Sequence, residues 1–422
     1  MKNFKKLVLI PLLASAALSS YACDEKGVVL GSGDTTVKLK GGLDVKYGHM
    51  FQKGVDKEDK LTANKKKDAI NTEANIRFEI DRVSDEDFKY GAKIVVVTTT
   101  NPDGGASANG SHIWVSRDDL GKIEAGSPFS AARNMHVSAG EVSVGNGMTG
   151  WSDYAKLVPS KAQGLYFRDS DKLYADSMKG KRNEPSRRLS YYTPEFSGLQ
   201  LGFSYTPDTH NVGDTEVGKG KDHFRKTGIN GGNTSKQDVK DMLSYGVSFK
   251  HNLADGVDLK LALTGEYASK TGYVLEKDID DDGEEILRPT DEKLGKLRAY
   301  NIGTHLAYGN WGFAGSYGNL GKSYSARTLD GSKRKSNFYT LGVGYKQGPG
   351  GVSLVHFNGN HRGNKLRSVS LAGSYDFARG LKGSVELTRF EGKGSYKEKN
   401  SVVVKTYKPK GYALVTGLSI SL

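Results

Sequence analysis

The sequence of 422 residues contains a single cysteine, Cys23, so no disulfide can form within the chain and nothing in its folding depends on redox state. Beyond the amino terminus, no stretch approaches the roughly 18 apolar residues that a membrane helix needs, which excludes helical membrane insertion. The patterns H-E-x-x-H, C-x-x-C and G-x-S-x-G are absent and the nine histidines are scattered, so the usual zinc, dithiol and serine-nucleophile chemistries have no foothold and no cofactor is expected. The formal net charge is +13, yet no helix-turn-helix, zinc-knuckle or RNA-recognition pattern accompanies it, and nucleic acid is not an expected partner. Prolines number only 10 and tryptophans 3, against 54 glycines and 22 tyrosines. With a mean hydropathy of −0.54, that composition is too polar for a helical membrane protein.

The amino terminus carries an address. Lys2, Lys5 and Lys6 precede an apolar stretch from Leu7 to Leu18 that Pro11 interrupts, and Ser20-Tyr21-Ala22 follows with small residues at the two positions a signal peptidase reads. Residues 1–22 are expected to be a cleaved export signal, leaving 23–422 as the mature domain. Cys23 falls directly after the cut, where a lipoprotein would be acylated. Lipoprotein signals carry Leu three residues before that cysteine, whereas Ser20 stands there here with the bulky Tyr21 beside it, so an ordinary cleaved signal is preferred. Removing the three signal lysines takes the net charge from +13 to +10.

From about residue 36 onward, apolar residues alternate with small or polar ones. Tyr300, Ile302, Leu306 and Tyr308 share one face while Asn301, Gly303, His305 and Ala307 share the other, and Leu243/Tyr245/Val247/Phe249 and Val369/Leu371/Tyr375/Phe377 repeat the pattern. Sixteen such ribbons are expected, near 36–48, 69–83, 87–100, 110–118, 121–127, 186–193, 198–206, 241–252, 256–270, 297–309, 311–320, 335–347, 350–360, 366–378, 380–391 and 409–422. Tight turns (Ser84 to Glu86, Asp119-Leu120, Pro194 to Ser197, Leu253 to Asp255, Asn310, Gly348-Pro349, Arg379) alternate with long connections, of which only 361–365 is small. A soluble β-sandwich also alternates, but its inner faces must pack a dry core. Here the polar faces hold Gly, Ser, Ala and charge, which pack poorly. The expected fold is therefore all-β: a 16-stranded antiparallel transmembrane barrel, oily outside and wet within, wide enough for an aqueous lumen.

Three segments carry a family resemblance. Val37 to Gly48 (VKLKGGLDVKYG) resembles the opening strand of the Gram-negative general porins; His112 to Phe129 (HIWVSRDDLGKIEAGSPF) is similar to their fourth and fifth strands; and Arg187 to Tyr205 (RRLSYYTPEFSGLQLGFSY) resembles a hairpin characteristic of the family. The chain departs from the pattern in ending on Leu422 where the family usually ends on Phe, which bears on the barrel-insertion machinery rather than on the fold, and in a longer third loop. The resemblance implies a homotrimer in the outer membrane, in contact with lipid and lipopolysaccharide, passing ions and small hydrophilic solutes. It also implies a third loop, about 128–185, folded into the lumen to form a constriction.

Strand parity then nominates the charges. Outward Leu39 turns Lys38 and Lys40 inward; outward Ile76, Phe78 and Ile80 turn Arg77 inward; outward Leu189 and Tyr191 turn Arg188 inward. These four are the expected basic side of the constriction, and Glu141, Asp153, Asp169 and Asp171 of the third loop the acidic side, setting a transverse field across the water column. The positive balance favours a mild anion preference. A phosphate-selective pore would need a ladder of inward lysines or arginines on successive strands, and the inward faces are mostly Gly, Ser, Ala and Asn, so general diffusion is preferred to a substrate-specific channel. An outer-membrane protease or phospholipase would resemble barrels of ten to twelve strands, and an adhesin using the long loops could coexist with a pore. Asp278, Asp280 and Asp282 match the first half of a calcium loop, but its twelfth position falls on Pro289, so a solvated acidic loop is preferred.

Overall fold

Strict alternation over so many segments calls for one continuous sheet with lipid on one side and water or protein on the other. The computed structural model describes residues 28–53, 67–99, 106–146, 150–158, 162–173, 186–208, 239–279, 285–323, 335–398 and 403–421, apart from residues 33, 85, 164, 166, 255, 272 and 294. The signal segment, Cys23, Leu422, Asp280 and Asp282 lie outside the described residues.

Sixteen strands form the wall: β1 (Thr35–Lys53), β2 (Asp68–Val83), β3 (Lys89–Thr99), β4 (Ala106–Arg117), β5 (Gly121–Gly126), β6 (Arg188–Tyr192), β7 (Leu199–Asp208), β8 (Val239–Ala254), β9 (Val257–Ala268), β10 (Leu297–Tyr308), β11 (Trp311–Gly321), β12 (Ser336–Gln347), β13 (Gly350–His361), β14 (Asn364–Ala378), β15 (Leu381–Glu398) and β16 (Lys410–Ser421). Each pairs antiparallel with the next. β16 returns to β1, from Gly42 opposite Ser421 to Lys53 opposite Lys410, so the barrel is closed and keeps no open edge there. All sixteen correspond in order to the expected ribbons.

The parity holds across the sheet. Phe313, Val343, Leu354, Leu371, Leu387 and Leu414 are successive cross-strand partners from β11 to β16 and make a band of apolar side chains on the outside. On β14, Leu371 is 58% exposed while the next residue, Ala372, is 4% exposed. In water such a band would be an aggregation surface; in a bilayer it is the solvent contact. Aromatics gather at the band's edge: Trp311 pairs with Tyr308 and lies 4.8 Å from the Tyr345 ring, and Tyr375 lies 5.3 Å from Phe377.

The connections 84–88, 118–120, 193–198, 255–256, 309–310, 348–349 and 379–380 share one rim with both ends of the barrel. At the end of β16, Ser421 N donates to Gly380 O of the β14–β15 turn (2.8 Å), and Gly380 has φ +77° with the Ser421 carbonyl oxygen where a Cβ would stand, so glycine is needed there. On the opposite rim the long loops leave, except for Arg362-Gly363, where φ of 51° and 93° makes the one small connection as tight as those below.

Three elements were not legible in the alternation. Val28–Ser32 pairs back onto the start of β1, Tyr273–Ile279 and Glu285–Lys293 form a hairpin within the connection 271–296, and β15 runs on to Glu398, with Lys405–Tyr407 pairing along its residues 394–396. Strands that outrun the bilayer lose the oily outer face that reveals them.

Candidate pore constriction

β5 has six residues and β6 five. At about 3.3 Å per residue, six residues span roughly 20 Å, less than the ~30 Å of hydrocarbon, so the chain leaves the wall within the membrane's thickness. Irregular backbone is not tolerated against lipid, and the segment turns into the lumen instead.

Its first limb is seated on the wall by hydroxyls. The short helix α1 (Ala131–Asn134) is capped by Ser130, and Ala131 N donates to Ser204 Oγ of β7 (2.8 Å) and Ala132 N to Ser244 Oγ of β8 (3.0 Å). Further on, Ala139 N donates to Thr340 Oγ1 of β12 (3.1 Å), Val144 N to Ser353 Oγ of β13 (3.0 Å), Asn146 N to Glu386 Oε2 of β15 (2.6 Å) and Lys156 N to Gln52 Oε1 of β1 (3.0 Å). Backbone N–H groups outside regular structure must find acceptors, and the inward Ser and Thr supply them. Gly303 lets the loop lie this close: a Cβ there would stand 2.0 Å from the Val137 carbonyl oxygen. Much of the small-residue inner face is therefore a seat for the loop.

A second limb returns above the first. Ala162–Gln163 pairs with Lys397 and Glu398 on the outer extension of β15, and Leu165 and Phe167 join Trp151, Phe390, Leu366, Tyr396, Tyr407 and Met50 in a dry cluster inside the barrel. Leu173 joins Leu297, Leu320, Phe338 and Phe357 in another. The tiers are tied by Asp171, which accepts from Ser138 Oγ (2.6 Å) and lies 3.1 Å from His136 Nε2, and by Asp169, which accepts from Ser152 Oγ (2.8 Å). Asn301 Nδ2 lies 3.1 Å from His136 Nδ1, on the side of the ring away from Asp171. Burial pushes the Asp171 carboxyl upward, but the hydrogen bond from His136, the positive charges of His136 and Lys172 and the hydrogen bond from Ser138 together outweigh it and hold the group well below the usual carboxylate range.

The loop is anchored on the inner face from β7 round to β1, and the inner faces of β1 to β5 carry a dense set of charges. Charges alternate there. Lys38, Glu79, Lys93, His112, Gly126 and Arg188 are successive cross-strand partners, forming one transverse row at the level where the loop departs. Ion pairs link the row to its neighbours: Lys38 to Asp81 (2.6 Å), Lys40 and Lys93 to Glu79 (3.5 and 3.0 Å), and Lys122 to Glu124 (2.6 Å).

Of the nominated basic residues, Lys38, Lys40 and Arg77 stand together on β1 and β2, with Lys40 opposite Arg77. Arg188 ends the row, buried, its Nε donating to Ser186 O (3.1 Å). Of the acidic ones, Asp153 is exposed among Asp44, Lys46, Asn71 and Glu73, and Glu141 reaches Lys260 Nζ of β9 (3.2 Å). Asp169 and Asp171 are buried where the two tiers meet. Lys93, His112, Trp114, Lys122 and Glu124 were not nominated, although outward Ile94, Ile113, Val115 and Ile123 turn them inward by the same parity. Asp278 falls in the hairpin strand Tyr273–Ile279, and no group of three or more His, Cys, Asp or Glu able to hold a metal occurs among the described residues.

A closed sixteen-stranded barrel with an apolar exterior, short turns at one rim and a loop folded into its bore defines a membrane channel. The family model for Gram-negative porins matches residues 7–395, and the chain belongs to that family. It is thus an outer-membrane porin. Uncharacterised proteins of Rickettsia typhi and Rickettsia prowazekii are each 33% identical to it, over 423 and 422 residues, covering 92% of this chain and 94% of the relative. Among solved structures, an anion-selective porin from Comamonas acidovorans has a similar fold (TM-score 0.55, 14% identity, 92% of this chain and 100% of that one), as does Salmonella typhi OmpF in complex with daunomycin (TM-score 0.54, 12% identity, 94% and 100%).

Proposed function

We propose that this porin is a passive diffusion channel for ions and small hydrophilic solutes with a mild preference for anions, exported by cleavage after residue 22 and assembled as a homotrimer. The observation that carries the reading is the division of the lumen: a seated loop fills one side, and solutes pass along the charged faces of β1 to β5. Lys38, Lys40 and Arg77, with Arg188 at the end of the row, form the basic side of the constriction; of the acidic residues, Asp153 stands beside β1 and β2 and Glu141 stands on the β9 side, paired with Lys260. Asp169 and Asp171 serve by holding the loop in position. The open wall carries Lys38, Lys40, Lys46, Arg77, Lys93 and Lys122 against Asp44, Glu73, Glu79, Asp81 and Glu124, so the excess is small and positive, and the preference is accordingly weak. Fixed charges at close quarters order the water and favour polar solutes over apolar ones.

Reversal potential across a planar bilayer in a salt gradient tests this. Arg77→Ala and Arg188→Ala should each move the potential toward cation preference; an unchanged potential in both would remove them from the constriction.

A further inference from the structure

We propose that the lumen contains a subsite for α-amino acids bearing an aromatic or apolar side chain, built on Lys122, Glu124 and Trp114; this deepens, and rests on, the channel reading above. β4 and β5 bring the three together on the inner face. Trp114 stands directly opposite Glu124, and Lys122 lies two residues from Glu124 on the same side of β5. The Lys122 ammonium is 5.3 Å from the centre of the Trp114 ring and 2.6 Å from Glu124 Oε1. A cavity of about 330 Å³ opens over them, lined also by Phe129 of the in-folded loop and by the charged Glu79, Asp81 and Lys93.

Two features of this cavity call for a zwitterion rather than a simple ion. The lysine side chain is 40% exposed and the glutamate side chain 7%, so the cation faces the water while the anion lies at the wall. The second carboxylate oxygen, Glu124 Oε2, is buried with no hydrogen-bond partner among the described residues. A buried carboxylate short of donors favours a cation beside it, and as Lys122 swings toward the lumen an incoming ammonium takes its place on Glu124 Oε1. An α-amino acid carries its ammonium and carboxylate on one carbon, matching a glutamate and a lysine that are themselves neighbours. The carboxylate then takes the freed Lys122, and the side chain lies against the indole of Trp114 and the ring of Phe129. No net charge enters the cavity, so its existing balance is kept.

Single-channel recording tests the proposal with three probes: L-phenylalanine, 3-phenylpropionate, which lacks the ammonium, and phenethylamine, which lacks the carboxylate. Phenylalanine should interrupt the KCl current at a concentration about tenfold below either analogue, the loss expected when one charge-assisted hydrogen bond is removed. Glu124→Gln should abolish its advantage over 3-phenylpropionate, and Trp114→Ala should weaken all three probes together. Equal potency of the three on the unaltered protein, a comparison that needs no variant, would overturn the subsite while leaving the channel intact. Absence of any KCl conductance would instead overturn the channel reading beneath it.

Discussion

Trp151 lies flat on Phe390 inside the barrel, with ring centroids 4.6 Å apart and 19° between the ring planes. Trp151 belongs to the in-folded loop and Phe390 to β15, and both are fully or almost fully buried, at 0% and 1% exposure. A dry aromatic contact within a water-filled bore makes the loop a packed part of the wall rather than a strand of chain hanging in the channel.

Trp151→Ala should therefore act on the pore more than on the barrel. Removing a buried tryptophan costs about 3–5 kcal/mol, and that cost falls on the docking of the loop. Single-channel recordings are expected to show higher and noisier conductance, while the barrel strands keep their resistance to detergent and heat.

Gly303→Val tests the same seat from the wall side. A Cβ at this position meets the Val137 carbonyl oxygen at 2.0 Å, so either the loop moves or β10 does. β10 is held by β9 along its full length and by β11 from Tyr300 to Tyr308, on both sides of Gly303, and the loop is expected to yield. Limited proteolysis should cut the variant within residues 136–158 under conditions that spare the parent.

Asp171 gives the docked loop a defined pH response. Its carboxyl is held well below the usual range in the folded state, so the stabilisation is fully present above the ordinary carboxylate value and is lost as pH falls through the lowered one. The contribution of Asp171 should stay constant from neutral pH down to mildly acidic pH and be lost only in strong acid, so the difference in conductance between the parent and Asp171→Asn should persist through mildly acidic pH. Asp171→Asn should weaken the docking by about 1.5–3 kcal/mol, the range for hydrogen bonds to a charged group, and raise conductance already at neutral pH.

The charges on β1 to β3 should govern selectivity in a salt-dependent way. Lys40→Glu together with Lys93→Glu reverses two charges beside Glu79 and should convert the channel to cation preference. The change should be larger in 0.1 M salt, where the Debye length is about 10 Å, than in 1 M salt, where it is about 3 Å. Reversal potentials at two mean salt concentrations measure both effects.

The barrel was legible because a strand has a period of two and a bilayer demands oil on one face. Ile76, Phe78 and Ile80 announce β2, and the same alternation identifies every strand that crosses the membrane. It fails where strands leave the bilayer, as the outer part of β15 does beyond Phe390, and where backbone pairing proceeds without an oily face, as in the hairpin Tyr273–Ile279 and Glu285–Lys293. Parity also assigned Lys38, Lys40, Arg77 and Arg188 to the inside, and applied to β3, β4 and β5 it would have added Lys93, His112, Trp114, Lys122 and Glu124.

What the chain of residues determined alone was the closed sheet, its two unlike rims and which side chains point inward. What only the tertiary structure decided was what each inward side chain meets. Ser204, Ser244, Thr340 and Ser353 read as polar lining and are in fact anchors for the loop, whereas Asp169 and Asp171 read as lumen charges and lie between its tiers. The reason is physical: alternation is a local property, enforced residue by residue by the solvent on either face, but the opposite side of a bore is filled by a segment distant in sequence. Its path is set by close packing and by hydrogen bonds that no short-range pattern records.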